Sequence, residues 1–508
     1  MEKTNKTAEK AMKETKKTKK EQAKNGKISD EIIKAYSLKN AVEHDGKAIV
    51  GSVISGLFAA GLKKEEIKDI IMRVNLIVND VNKMPLETQK QELAEFEKKG
   101  LISKRETRAQ DELPELESAE EGKVVTRFAP SPSGPLHIGH AATGMPSSLY
   151  AKKYKGKFYI RIEDTNPENI DPEAYKMIPE EADWLFGNVT AVIIQSDRMA
   201  KYYEFAEKLI KKNAAYVCTC DPEEFKKLLL ESKPCPCRSI SSKENLERWK
   251  RMLSKGSDAY KEGEAVLRFK SNLNDPNPAL RDFPLARINE TEHPRQGKKY
   301  RVWPLMNLCV TLDDIEFKST HVIRAKDHMD NAKRQEMMLK VFKLKPPRSY
   351  FLGRYKFKDL EISCTKTKAK IKAGEFTGWD DIRLPFIAAL RKRGFQPEAF
   401  AKIAIQRGLS EVDKVISKED YFEVLSNFNR EIIQKIAIKA DFQEIPKQKI
   451  KQEKPNIEIL MPDATVVYGT SKDSNIKKLK EGEIVYFAGF GYATYNPKEK
   501  VKFWFCHK

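Results

Sequence analysis

Arg127 to Ala141 reads RFAPSPSGPLHIGHA, the pattern of a strand that feeds a helix across a tight loop. Lys123 to Phe128 reads as a short β-branched strand, and Ala129 to Pro135 is too rich in Pro, Ser and Gly to be helix or strand. A helix can open near Leu136, which puts His137 and His140 on one face of its first turn. A helix start offers unpaired backbone N–H groups and a partial positive charge, so two imidazoles there add donors to a place already suited to phosphate oxygens. Gly139 between them leaves room for a nucleotide to approach the backbone. Pro146 lacks an N–H and clashes with the preceding turn, which predicts a kink or a restart near Gly144. Taken alone, two histidines at this spacing usually form a polar helix face, so the neighbouring sequence has to decide.

Working outward, strands and helices alternate from Lys123 to about Asn213 and again near Thr320 to Lys345, consistent with a nucleotide-binding parallel sheet. The material between them, with its cysteines, its prolines and an amphipathic Lys243 to Leu253 helix, reads as an insertion. Upstream, Ile67, Ile70, Ile71, Val74, Val78 and Val81 recur at helix spacing, so residues 29–103 are expected to form a helical domain. The charged run 104–122 reads as a linker. Beyond Tyr350 the chain turns helical through Ile387 to Arg393, Glu398 to Arg407 and Lys418 to Lys439. From Ile457 onward TVVYGT, EIVYFAGFGYATY and VKFWFCHK carry strand composition.

A chain of 508 residues is too long for one core, and 40% hydrophobic content is ample for several. The net charge of +20 favours a polyanionic partner, because lysines and arginines gain affinity by releasing counterions from a phosphate backbone. Met1 to Lys27 holds ten lysines against four glutamates and almost no large apolar residue, so residues 1–28 are expected to be a basic flexible tail. No apolar run approaches bilayer length and no signal-peptide core opens the chain, which predicts a cytoplasmic protein. No self-complementary apolar surface is evident, so a monomer is expected.

Seven cysteines suit a reducing compartment better than a disulfide framework. Cys218, Cys220, Cys235 and Cys237 form C-x-C, a fourteen-residue gap and C-x-C. Four thiolates satisfy tetrahedral zinc, although the spacing is tighter than the usual knuckle and four reduced cysteines are the plain alternative. Cys309, Cys364 and Cys506 have no pairing logic.

The HIGH segment resembles that of class I aminoacyl-tRNA synthetases, and RFAPSPSGPLHIGHA is similar to the form found in glutamyl-tRNA synthetases, most closely of the archaeal kind. RIEDTNP (Arg161 to Pro167), YVCTC (Tyr216 to Cys220), NPALRD (Asn277 to Asp282), HVIRAKDH (His321 to His328) and GWDDIRLP (Gly378 to Pro385) follow in the expected order. The resemblance implies a multidomain α/β protein. Its parts would be a Rossmann catalytic domain in two halves (123–217 and 320–349), an inserted acceptor-binding domain (218–319), a segment with a KMSKS-like loop and a helical stem-contact domain (350–445), and a reduced anticodon-binding β-barrel (446–508). It implies ATP as substrate, Mg²⁺, L-glutamate and tRNA(Glu), and, because archaeal enzymes often charge both, tRNA(Gln). Some relatives carry zinc in the insertion.

The implied ATP contacts are His137, Gly139 and His140, with Ser363, Thr365 and Lys366 in a mobile ISCTKTKAK loop where Cys364 stands at a position that better-known members fill with lysine. His137, His140 and Lys366 are the implied catalytic groups. For glutamate, a planar guanidinium suits the side-chain carboxylate and an acid suits the α-ammonium, so Arg127 and Arg324 take the first role and Glu163 the second, with Ala129 and Ser131 alongside. Relatives commonly have tyrosine where this chain has Met306, and a thioether cannot donate a hydrogen bond. The competing readings are a glutaminyl-tRNA synthetase, a catalytically silent RNA-binding paralogue, and an enzyme that glutamylates a modified base. RFAPSPSG and Glu163 argue against the first. The intact His137, His140 and Lys366 argue against the second, and the surviving C-terminal region against the third.

Overall fold

The computed structural model describes residues 28–43, 46–99, 101 and 112–508; the lysine-rich tail lies outside them, as does most of the first half of the expected linker. The chain divides after Ala109 into two compact units. In the first, helices span Asp30–Glu43, Val50–Ala59, Ile67–Lys83 and Leu86–Lys98. The Ile67–Lys83 helix buries Ile70, Val74, Val78 and Val81 against Ile33, Leu38, Val53 and Leu57. Each such aliphatic side chain contributes about 1.5–3 kcal/mol by leaving water.

The second unit is built on parallel strands. Val125–Phe128, Lys157–Ile162 and Ala191–Ile194 pair in sequence order, and His321–Ala325 pairs with Arg348–Leu352. Thr320 joins the two sets: its N–H donates to the Val125 carbonyl at 3.0 Å, and its hydroxyl accepts from the Val125 N–H at 2.8 Å. The order therefore reverses at Val125–Phe128, and the crevice beyond that strand's carboxyl end is where such sheets bind ligands. Between the two sets lies a four-stranded antiparallel sheet, Ala215–Cys218, Val266–Phe269, Pro284–Ile288 and Val302–Pro304. Its core holds Trp249, Leu267 and Leu285.

Three expectations need correction. The helix over Ile138–Lys153 runs unbroken through Pro146, and it starts two residues later than expected, with His137 as its N-cap. The restart at Gly144 is replaced by close packing: a Cβ there would stand 2.6 Å from Phe186 Cζ and 3.1 Å from Phe128 Cγ. Leu113 to Glu117, expected within a linker, are fastened to the sheet instead. Leu113 and Leu116 are buried against Tyr150, Ile323 and Leu352. The Tyr150 hydroxyl donates to the Pro114 carbonyl at 2.8 Å, and the Tyr350 hydroxyl accepts from Glu117 N–H at 2.9 Å. The expected mobile loop over Ile362 to Lys370 is mostly helix, Cys364–Lys372, whose N-cap Ser363 accepts from the Lys366 N–H at 3.3 Å.

The C-terminal strands form one seven-stranded sheet that takes in Ile438–Ala440 and Gln443–Glu444, upstream of the expected boundary at 446. The order runs Ile438–Ala440, Ile484–Phe487, Gly491–Tyr495, Phe503–His507, Ile457–Leu460, Val466–Thr470, Gln443–Glu444. Its first and last members are joined by Asp441 and Phe442 alone, a span of at most about 11 Å, so the sheet must curl until its edges meet. The Asp441 carboxylate ties the seam by accepting from Ser471 Oγ at 2.7 Å and Lys472 N at 3.1 Å. Among the described residues no helix is long and apolar enough to cross a membrane.

Candidate active site

His137 departs from its expected use of the helix start. Its Nδ1 accepts from the N–H groups of Gly139 at 3.1 Å and His140 at 3.3 Å, and the Ile138 N–H goes to the Pro385 carbonyl at 3.1 Å. The first free donors of the helix are thus consumed by a side chain and a neighbouring segment rather than left for a ligand. Gly139 has a matching reason: a Cβ there would stand 3.0 Å from the His137 ring, so the space is filled by imidazole. What remains for a phosphate is the other ring nitrogen. With Nδ1 accepting, the proton sits on Nε2.

The two histidine rings stack with centroids 3.7 Å apart at 18°. Burial pulls His137 well below the ordinary imidazole range, with His140 adding to it, and burial alone brings His140 to about 4. Both are neutral donors at physiological pH. His140 Nδ1 is buried without a hydrogen-bond partner.

His140 also borders a cavity of about 220 Å³ that Arg127, Ala129, Ser131, Glu163, Met306 and Arg324 share. All five residues expected around glutamate therefore meet in one place. Arg127 spreads both Nε and Nη2 on Asp314 at 3.3 Å, and Arg161 donates to Asp314 at 3.1 Å and to Glu163 at 3.0 Å. Burial works to raise the Asp314 carboxyl, but Arg127 and Arg161 overcome it and hold it at about 2. Arg324 is different. It is 8% exposed, donates to neutral Gln335 Oε1 at 3.1 Å, and has no carboxylate within 4.0 Å among the described residues. Burial and then Arg127 lower its guanidinium to about 9.

Arg161 and Asp314 were missed from sequence, although RIEDTNP and the DD pair closing WPLMNLCVTLDD contain them. His328 was also missed. Its Nδ1 accepts from Asn331 Nδ2 at 3.1 Å, so its proton sits on Nε2. A ring donor thus borders the cavity wall that Met306 leaves without one.

The lysine segment lies off this cavity. Thr365 and Lys366 are exposed, and Lys366 is paired with Glu361. Cys364 is buried against the loop before the histidines: a Cβ on Gly134 would stand 3.1 Å from its Sγ. Lys368 reaches Asp171 at 3.1 Å. In the inserted sheet, Sγ of Cys218 lies 3.9 Å from Cys235 and Sγ of Cys220 3.7 Å from Cys237. Tetrahedral Zn–S bonds of about 2.3 Å place sulfurs about 3.8 Å apart; Cys218, Cys220 and Cys235 hold their ligand atoms within 4.8 Å of one another, while Cys237 stands outside that group and would have to move in as a fourth ligand.

A switch-point crevice with stacked neutral histidines beside an arginine-lined cavity defines a nucleotide-binding catalytic domain of the parallel-sheet class. Residues 123–435 match the catalytic domain of tRNA synthetases class I (E and Q). The chain is 42% identical over 410 residues to a glutamate–tRNA ligase of Methanothermobacter thermautotrophicus, covering 80% of this chain and 72% of that one. It is 40% identical over 439 residues to a glutamate–tRNA ligase of Pyrococcus furiosus, covering 85% and 76%. The chain belongs to the class I tRNA synthetases for glutamate and glutamine.

Proposed function

We infer that this protein is a glutamate–tRNA ligase, and the observation that carries the choice of amino acid is Arg324. The other two guanidinia at the cavity already have carboxylates. Arg324 is a buried cation bonded only to neutral groups, which a substrate carboxylate completes and an amide does not. Glu163, held by Arg161, is the anion for the α-ammonium. Both features favour glutamate over glutamine as the activated amino acid.

ATP enters as its Mg²⁺ complex, the ion travelling with the substrate. An oxygen of the glutamate α-carboxylate attacks the α-phosphorus, the bond to the bridging oxygen breaks, and pyrophosphate leaves. The 2′-hydroxyl of the terminal adenosine then attacks the acyl carbon, loses its proton, and displaces AMP. The protein supplies no covalent nucleophile; it orients the reactants and stabilises charge on the phosphates. His137 and His140 do so as neutral Nε2–H and ring donors, and Lys366 as a cation once released from Glu361. Ser363 and Thr365 are assigned to the same nucleotide contact.

The four cysteines would hold a structural zinc ion that cross-links the inserted domain, which is assigned to the acceptor end of tRNA. Metal analysis of the purified protein is expected to find one zinc per chain, lost in a Cys235→Ser variant. The curled C-terminal sheet is assigned to the anticodon, and charging of tRNA(Gln) with glutamate is part of the proposal. The test is charging of both tRNA transcripts with labelled glutamate and, separately, glutamine. Glutamate transfer is expected; transfer of glutamine overturns the assignment of Arg324 and Glu163.

A further inference from the structure

Glu181 is 7% exposed on the helix Ala174–Phe186, and its Oε2 accepts from the Leu136 N–H at 2.6 Å, one residue before His137. Among the described residues it has no cationic side chain within 4.0 Å. Its surroundings form a continuous path. Leu136 and Ile138 pair with the segment Pro385 to Ile387 through Ile387 N to Leu136 O at 2.9 Å and Ile138 N to Pro385 O at 3.1 Å. That segment opens the short helix Ile387–Arg393, and its Ala388 N–H also faces the Glu181 carboxyl. The far end of the same helix holds the C-terminal sheet. The buried Arg393 donates to the carbonyls of Phe505 at 3.1 Å and Cys506 at 2.9 Å, and the Lys392 carbonyl accepts from Asn496 at 3.2 Å. A cavity of about 640 Å³ flanks the junction, lined by Glu181, Trp184, Arg391, Thr494 and Asn496 among others.

We propose that Glu181 is a positioning residue for ATP: by holding Leu136 against the Ile387–Arg393 helix it sets the placement of His137, so that the seat of the C-terminal sheet and the histidine clamp share one buried carboxyl. The proposal rests on the ligase reading above. The titratable groups around Glu181 are Glu180 on its own helix, Arg391 and Lys392 on the opposing one, Asp380 and Glu481 across the cavity, and Cys364 at the start of the lysine helix. Burial is the largest influence and raises the carboxyl to about 8, with Glu180 adding to it and the Leu136 and Ala388 N–H groups and Arg391 opposing it. The proton is therefore held through neutral pH. Above about 8 the group becomes a buried charge without a paired cation, which is relieved by admitting water and loosening the junction. Histidine titration does not overlap, because His137 and His140 are shifted in the opposite direction.

The test is steady-state charging of tRNA(Glu) by the full chain as wild type, Glu181→Ala and Glu181→Gln, with KM for ATP and for glutamate measured separately from pH 6.5 to 9.5. Glu181→Ala is expected to raise KM for ATP about tenfold with KM for glutamate within twofold. Glu181→Gln keeps an acceptor for Leu136 and is expected to restore KM for ATP while abolishing its rise above pH 8. Equal rises in both Michaelis constants for the alanine variant, or no rise in that for ATP, overturn the proposal. So does a glutamine variant that keeps the wild-type alkaline limb, and this arm stands even if the alanine variant does not fold. A wild type that transfers no glutamate overturns the ligase reading instead.

Discussion

Arg127, Arg161 and Arg324 are buried at the switch point with Asp314 and Glu163 fixed around them, whereas Lys366 stands in solvent on a nine-residue helix with Glu361 as its partner. On the proposed reading both regions meet substrate anions, but on different terms. At the amino-acid cavity the guanidinia are already nearly buried before substrate arrives, so an incoming carboxylate meets a cation that water screens only weakly. At the lysine helix an existing ion pair has to break first, and an exposed pair is worth only about 0–1 kcal/mol. On the proposed assignment, recognition of the amino acid is built into the fold, and contact of Lys366 with the nucleotide follows a change on binding.

The strongest attempt to break this contrast is Arg324→Ala. Removing one partner of a buried charge pair costs about 3–5 kcal/mol, so KM for glutamate is expected to rise by about 10²–10⁴ in the charging assay, with KM for ATP little changed. If Lys366 acts only on the phosphates, Lys366→Ala lowers kcat about 100-fold while thermal melts overlay the wild type, since the side chain is exposed. Asp314→Asn probes how much of the arginine arrangement is structural. It leaves Arg127 and Arg161 short of one carboxylate and is expected to cost about 3 kcal/mol of stability near neutral pH. A depressed carboxyl stabilises above its unfolded value of 3.8 and loses that contribution as pH falls toward about 2. The gap in melting temperature between wild type and Asp314→Asn should therefore close below pH 4. The smallest effect sharpens the other side: Glu361→Gln frees Lys366 and is expected to lower KM for ATP by no more than about fivefold.

The sequence exposed the parts whose chemistry lies within one turn or one loop. RFAPSPSGPLHIGHA identified the strand, the loop, the helix and both histidines, and HVIRAKDH supplied Arg324. It did not expose partnerships across distance. Asp314 bonds Arg127 from 187 residues away, and Glu181 reaches Leu136 from 45, and no local spacing encodes either. Local rules also misled where packing outweighed propensity. Pro146 sits inside a helix held by a buried core, and a lysine-rich run became a helix because Ser363 caps it and Cys364 finds a buried seat. The linker reading gave way over Leu113 to Glu117 for the same reason. Leu113 and Leu116 look like isolated apolar residues among acids until Tyr150 and Leu352 are beside them.

The order of the C-terminal strands also bears on how the chain is made. Phe503–His507, the last of the seven to be synthesised, lies fourth in the sheet, between partners laid down earlier. It is the strand that pairs Gly491–Tyr495 on one side with Ile457–Leu460 on the other, so that side of the sheet is joined only when it is present. Its carbonyls at Phe505 and Cys506 are also those that receive Arg393. The helix below the histidines therefore gains these two partners for Arg393 only once Phe503–His507 has been made.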